Sequence, residues 1–307
     1  MQARGYALVA VAAVLWALIG LFSRAVLDEG VAPLEIAFWR ATLAGGAFAL
    51  HAALVGRLRL RATRDLASMS AFALVGVTLF YAALVLAIET GGISLAFVLL
   101  YTAPAFVTLL AWPLLGERLT RTKLALVALA MLGVVLVAFA GGSANGVRVS
   151  PASLGWGLTA GASYAAYYLF GKWVLARYAP VTIFAIVLPI GALGLLPFVT
   201  FVPKSPLAWS LLVALSLVST YLAYLVYYTG LRAVEASRAV LVATIEPVVA
   251  AALAAAVFGE RLGALGVGGA GLILVAAALA SVRRRPRRGA GPAASRPPPP
   301  TTGSERG

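Results

Sequence analysis

YAALVLAIETGGISLAFVLLYTAPAF (residues 81–106) and YLVYYTGLRAVEASRAVLVATIEPVV (residues 224–249) fall on one another when the chain is shifted by 143 residues. Tyr81 then meets Tyr224, Ser94 meets Ser237, Ala96 meets Ala239 and Pro104 meets Pro247. Without a gap, Gly116-Glu117-Arg118-Leu119 meets Gly259-Glu260-Arg261-Leu262. At a shift of 148, Leu21-Phe22 falls on Leu169-Phe170 and Val26-Leu27 on Val174-Leu175. The chain therefore reads as one unit written twice, 1–143 and 144–282, with a tail at 283–307.

Each copy is apolar enough to live in a bilayer. Of 307 residues, 62% are hydrophobic and 11% charged, against about 45–50% and about 25% in soluble domains. Crossing the hydrocarbon takes roughly 20 apolar residues. Ten stretches approach that length: 6–27, 33–55, 66–88, 93–115, 122–140, 152–176, 181–202, 207–230, 236–258 and 263–282. The first is longer than a signal-peptide core and has no convincing cleavage site, so it reads as a retained span. The narrowest connection is Glu89-Thr90-Gly91-Gly92, where four residues have to turn the chain. Five spans per copy is an odd number, which inserts the second copy upside down. The expected fold is an all-α integral membrane protein of ten transmembrane helices, arranged as two inverted five-helix repeats.

The formal charge of +14 does not mark a nucleic-acid partner. The proline-rich tail from Arg283 holds seven Arg and one Glu, cannot form a packed core and is expected to be disordered. The other basic residues sit in short connections. Arg4, Arg57, Arg59, Arg61, Arg64, Arg118, Arg121, Lys123, Lys172, Arg177, Arg232 and Arg238 fall on the side of the termini. Only Arg24, Arg148, Lys204 and Arg261 fall on the other. That bias puts both termini in the cytoplasm of a multi-pass cell-membrane protein. Cysteine is absent and His51 is the sole histidine, so neither disulfides nor a zinc site is expected.

Each copy ends its fourth span with a proline near the middle and Gly-Glu-Arg-Leu at the exit: Pro104 with 116–119, and Pro247 with 259–262. A span rich in glycine and alanine follows each. This pattern resembles the EamA-type transporters of the drug/metabolite transporter superfamily, over roughly residues 8–281. The resemblance implies a ten-helix fold with a substrate path between the halves, and substrates such as amino acids, other metabolites or drugs. In physical terms, Pro104 and Pro247 remove a backbone donor and open a mid-span kink, and Pro113 does so again in the first copy only. Glu117 and Glu260 read as structural carboxylates, pairing with an Arg or capping a helix start. Gly263, Gly266, Gly269 and Gly271 read as a close-packing face, with a homodimer as one use.

Ionisable groups at membrane depth are costly and face a partner or a cavity. Arg40 lies seven residues inside the second span. It is either a site for a substrate carboxylate or a structural Arg tying helix ends. Glu35, about 140° away around the helix, is not its easy partner. Glu246 stands beside Pro247 with no basic residue within a turn, and its mate at the shift of 143 is Ala103. Desolvation disfavours the ionised carboxylate. Glu246 is thus either a proton-coupling or amine-binding group, or a protonated Glu bonded to a neighbouring helix. Trp16 and Tyr164 are mates at 148, and Tyr81 and Tyr224 at 143; Tyr101, Tyr168 and Tyr228 lie in the corresponding spans. These rings are candidates for an amphipathic cavity wall, or for interfacial anchors and core. The hydroxyls of Ser94, Ser237, Thr102 and Thr244 are expected on helix backbone.

The function these features point to is a secondary transporter of small molecules, an exporter of amino acids or similar metabolites by alternating access. A nucleotide-sugar or organophosphate antiporter is the alternative, and a channel or membrane enzyme is more remote. No enzyme activity, cofactor or metal is expected. Partners are a small-molecule substrate and the bilayer, with proton coupling as a candidate property.

Overall fold

The computed structural model describes residues 2–58, 60, 62–140, 148–258 and 263–282. Among them the regular elements are helices: α1 (Gln2–Asp28), α2 (Pro33–Leu54), α3 (Thr63–Phe72), α4 (Phe80–Gly91), α5 (Ile93–Leu100), α6 (Ala103–Leu115), α7 (Arg121–Ala140), α8 (Pro151–Val174), α9 (Pro180–Leu195), α10 (Pro206–Ser216), α11 (Ala223–Leu231), α12 (Ala236–Ala243), α13 (Glu246–Phe258) and α14 (Ala264–Ser281). A π-helical stretch, Ala73–Leu79, joins α3 to α4, and another, Leu217–Leu222, joins α10 to α11. The C-terminal tail, Glu260 and Arg261 lie outside the described residues.

Local chemistry sets the helix starts. Pro33, Pro151, Pro180 and Pro206 each open a helix after an extended residue. The missing N–H is harmless in the first turn and the fixed φ suits it. Ser150 adds a capping box with Ser153, and Ser205 accepts from Ala208 N at 3.0 Å. The tight connection at residues 89–92 is sharper than expected: α4 runs through Gly91, and Gly92 alone turns the chain at φ 84. That region is open to glycine and strained for other residues.

Among the described residues, eight helical runs are long and apolar enough to cross a membrane: Gln2–Asp28, Thr63–Gly91, Leu95–Leu115, Arg121–Phe139, Pro180–Phe198, Pro206–Leu231, Ala236–Val257 and Ala264–Ser281. The other two expected spans are also helical, α2 with 22 residues and α8 with 24. Polar side chains lower their apolarity, and those side chains are buried: Glu35 and Arg40 on α2, Ser153, Ser163, Tyr167 and Tyr168 on α8. Large apolar residues such as Leu54, Trp112, Leu193 and Val267 face outward, while Ala12, Ala41, Ala44, Ala83 and Ala276 fill helix contacts. Small residues inside and large apolar ones outside is the pattern of helices packed in lipid.

The prolines act differently from the expected kink. The chain leaves the helix at Tyr101–Thr102 and at Thr244–Ile245, and Pro104 and Pro247 sit in the first turn of the helix that restarts. There the lost donor is one that has no intrahelical partner anyway. Pro113 remains inside α6. The most extensive packing joins α7 to α14, α2 to α9, α4 to α8 and α1 to α11. On α14, Gly266 and Gly269 are buried. A Cβ on Gly269 would lie 2.6 Å from Gly133 O of α7, and one on Gly133 would lie 2.6 Å from Gly269 O. Gly269 therefore serves a contact within the chain.

Candidate functional site

Helices α1, α2, α4, α5, α7, α8, α11 and α13 enclose a cavity in two connected parts, of about 130 Å³ and about 420 Å³. Trp16, Arg40, Tyr81, Tyr101 and Glu246 line both. The smaller part is the aromatic end. The larger part runs past Ser23 and Leu27 of α1 to Pro33 of α2, toward the α1–α2 turn.

Helical periodicity builds the wall. Tyr164, Tyr167 and Tyr168 on α8 follow an i, i+3, i+4 spacing, as do Tyr224, Tyr227 and Tyr228 on α11. Residues so spaced share one helix face. The two helix breaks deliver Tyr101 and Glu246, which open the gap between α5 and α6 and the start of α13. Trp16 packs on Tyr227 with ring centroids 4.9 Å apart and edge-on to Tyr224 at 5.9 Å. Phe184 of α9 backs Tyr224 and Tyr228, each at 4.7 Å.

The polar groups are few and unevenly satisfied. Arg40 Nη2 donates to Tyr81 OH, and the guanidinium carbon lies 4.9 Å from that ring's centroid. Tyr168 OH donates to Tyr164 OH at 3.1 Å, and Tyr164 OH donates to Glu246 Oε2 at 3.4 Å. Tyr228 OH donates to Tyr167 O at 2.8 Å. Trp16 Nε1, Arg40 Nε, Tyr167 OH and Tyr227 OH are buried with no protein partner. Leaving such groups unpaired costs about 1–3 kcal/mol each. A wall of this kind favours an occupant that supplies hydrogen-bond partners along with apolar surface.

All nine candidates named from sequence, Glu246, Arg40, Trp16, Tyr81, Tyr101, Tyr164, Tyr168, Tyr224 and Tyr228, line this one cavity. Phe80, Tyr167 and Tyr227 line it as well. The i+3 spacing from Tyr164 and Tyr224 is the signal that points to the two tyrosines. Of the four hydroxyls, Thr102 and Thr244 donate to Leu99 O and Leu241 O, each at 2.6 Å. Ser237 instead donates to Glu117, and the side chain of Ser94 lies outside the described residues.

Opposite polar clusters hold the two ends. On the side of the termini, Glu117 accepts from Ala236 N at 2.6 Å, Ser237 N at 3.2 Å and Ser237 Oγ, capping α12. Lys123 bridges Glu117 at 3.4 Å and Glu235 at 3.1 Å. Glu117 thus caps a helix of the other half and pairs with a lysine rather than an arginine. Lys172 Nζ donates to Leu231 O and Val234 O, at 2.6 Å and 2.5 Å. On the opposite side, buried Glu35 pairs with Lys204, which sits among Trp39, Phe201 and Trp209.

A helical chain with membrane-length apolar runs around an aromatic, polar-tipped cavity has the architecture of a multi-pass membrane transporter. The EamA-like transporter family matches residues 3–139 and again 152–282, and the chain belongs to that family. It is similar to an "Uncharacterized transporter" of Archaeoglobus fulgidus, 30% identical over 250 residues, covering 80% of this chain and 87% of that one. It is also similar to "Uncharacterized transporter YwfM" of Bacillus subtilis, 29% identical over 181 residues, covering 57% and 60%. A crystal structure 18% identical in sequence shares the fold with a TM-score of 0.78, covering 91% of this chain and 97% of that one.

Proposed function

We propose that the chain is a secondary carrier that exports amino acids or similar small metabolites by alternating access between two inverted five-helix halves. The observation that carries this reading is the cavity, which holds one guanidinium and one carboxylate in an aromatic wall. Arg40 and Glu246 form no ion pair with one another among the described residues, so each is left to a ligand. A zwitterion supplies both complements, its carboxylate to Arg40 and its ammonium to Glu246, while an apolar side chain lies on the tyrosines.

Three further regularities support the halves being copies. The π-helical stretches match at the shift of 143, Leu74–Leu79 on Leu217–Leu222. The helix breaks match at the same shift, Tyr101–Thr102 on Thr244–Ile245. The packing pairs also obey a two-fold: exchanging the halves turns α1 with α11 into α8 with α4, and maps α2 with α9 and α7 with α14 onto themselves. Such a molecule presents one site to either side at similar energy, as alternating access needs. With the termini cytoplasmic, the cavity opens outward at Leu27 and Pro33, and the Glu117 and Lys172 clusters close the inner end. Organophosphate or nucleotide-sugar antiport is the weaker reading, because Arg40 is the one basic side chain lining the cavity among the described residues.

Counterflow into proteoliposomes tests the reading. Labelled amino acid should accumulate transiently against an unlabelled internal pool and saturate with concentration. Linear, non-saturating flux identifies a channel and sinks the carrier reading.

A further inference from the structure

We infer that the inner end of the molecule carries a capture subsite for the anionic end of the substrate, formed by Arg57, Arg177 and Arg232. The inference rests on the alternating-access reading above. A pocket of about 630 Å³ lies there, lined by Arg57 after α2, the turn from Leu175 to Ala179 between α8 and α9, Thr182, and Arg232 at the end of α11.

Two of the arginines are tied into this concavity. Arg177 Nη1 donates to Asp65 Oδ1 at 2.9 Å, and its guanidinium lies 4.5 Å from the Trp173 ring centroid. Arg232 Nη2 donates to Tyr178 O at 2.9 Å. A guanidinium has five N–H donors, so both keep capacity for an oxyanion. Arg57 is held through its backbone, where its carbonyl accepts from Thr182 Oγ1 at 2.7 Å, and its side chain is exposed. The bland account is the general excess of basic residues on the inner side of membrane proteins. That account asks for charge on the loops. It does not ask for three arginines gathered in one pocket that joins the first half to the second.

Place and register give the pocket its role. Arg232 is four residues beyond Tyr228 of the cavity wall, and Leu175 is seven beyond Tyr168, about 6 Å and 10 Å along their helices. At the shift of 148, Leu175 falls on Leu27, which lines the outer mouth of the cavity, and Arg177 falls on Glu29. At 143, Arg232 falls on Glu89, the neighbour of mouth residue Ile88. The pocket therefore stands at the inner end where the mouth stands at the outer end, with arginines in place of glutamates. Arg57 has no acidic mate.

When the inner end opens, the pocket becomes the entrance. Guanidinium forks match a carboxylate and raise its local concentration. This asymmetry leaves the equilibrium of the cycle unchanged. It appears as a lower KM at the inner face than at the outer.

The test uses the full chain in proteoliposomes of one orientation, with KM measured separately at each face for an amino acid and for its decarboxylated amine. Arg57→Gln should raise the inner-face KM for the amino acid about threefold to fivefold, as for an exposed ion pair. The amine's KM should not move, and the ratio of maximal rate to KM should change by the same factor at the two faces, as an unchanged cycle equilibrium requires. Raising salt toward about 1 M should shrink the difference, and Arg57→Lys should restore most of it. The exposed position lets these variants fold, which an unchanged unfolding midpoint checks. An unchanged inner-face KM in a wild type that transports amino acids overturns the subsite and leaves the carrier reading standing. A wild type that carries no amino acid removes both. A KM shift seen only in vesicles containing anionic lipid assigns the pocket to a headgroup phosphate and also overturns the subsite.

Discussion

Glu246 has one hydroxyl, that of Tyr164, at the long distance of 3.4 Å, and no cation paired to it among the described residues. On the proposed alternating-access reading, such a carboxyl exchanges a proton or an ammonium group as access changes. Glu246→Gln keeps the shape and most hydrogen bonding but cannot titrate. We expect it to fold and to retain exchange at equal pH while losing accumulation driven by a pH gradient, measured as steady-state substrate ratio. Wild-type accumulation by the Gln variant would falsify the coupling role. Glu117 stands at the other extreme, with every oxygen engaged across the halves. Glu117→Ala uncaps α12 and leaves Lys123 partly unpaired, which should lower stability by about 1–3 kcal/mol. Because the cluster sits at the closed end, a reporter cysteine nearby should label faster in this variant; unchanged labelling would show that the cluster does not hold that end shut.

Between elements, the tightest test is the crossing of α7 and α14. Gly133→Ala drives a methyl into Gly269 O and should cost about 1–3 kcal/mol in thermal or denaturant unfolding. Gly271→Ala, with nothing within 4 Å of the added carbon, should stay within about 0.5 kcal/mol of wild type. Equal effects of the two would mean that this crossing does not depend on backbone approach. What the sequence disclosed at this scale follows from period and register. Apolar length located the helices, and the shift of 143 located Pro104 and Pro247 as matched irregularities. It did not distinguish a kink from a break, because a proline reads alike in mid-helix and in a first turn. The partner of Glu35 was equally out of reach. Lys204 lies in the connection between α9 and α10, 169 positions away, and no periodicity links them. The cavity wall was legible because tyrosines on two different helices recur at helical spacing; Tyr167 and Tyr227 follow once one helix face is read as a whole.

For the whole molecule, an inverted layout requires the connection between the halves to lie opposite the termini. Reporters fused after Lys123 and at the C-terminus should read cytoplasm, and one at Arg148 should read the outside. A cytoplasmic signal at Arg148 breaks the layout. Cysteines placed on α6 and α12, which pack together, should crosslink within one chain; crosslinks confined to pairs of chains would mean a site shared between copies. The duplication is also incomplete in one respect: Ala103 occupies the position that matches Glu246. If Glu246 is the coupling group, the one carboxyl that lines the cavity among the described residues allows one proton per turnover. For a net-neutral substrate exchanged against that proton, each 100 mV of membrane potential supplies about 2.3 kcal/mol, enough for a concentration ratio of about fifty. A steeper ratio at that potential, with no pH difference, calls for a second coupled ion, for which no second acid lines this cavity among the described residues.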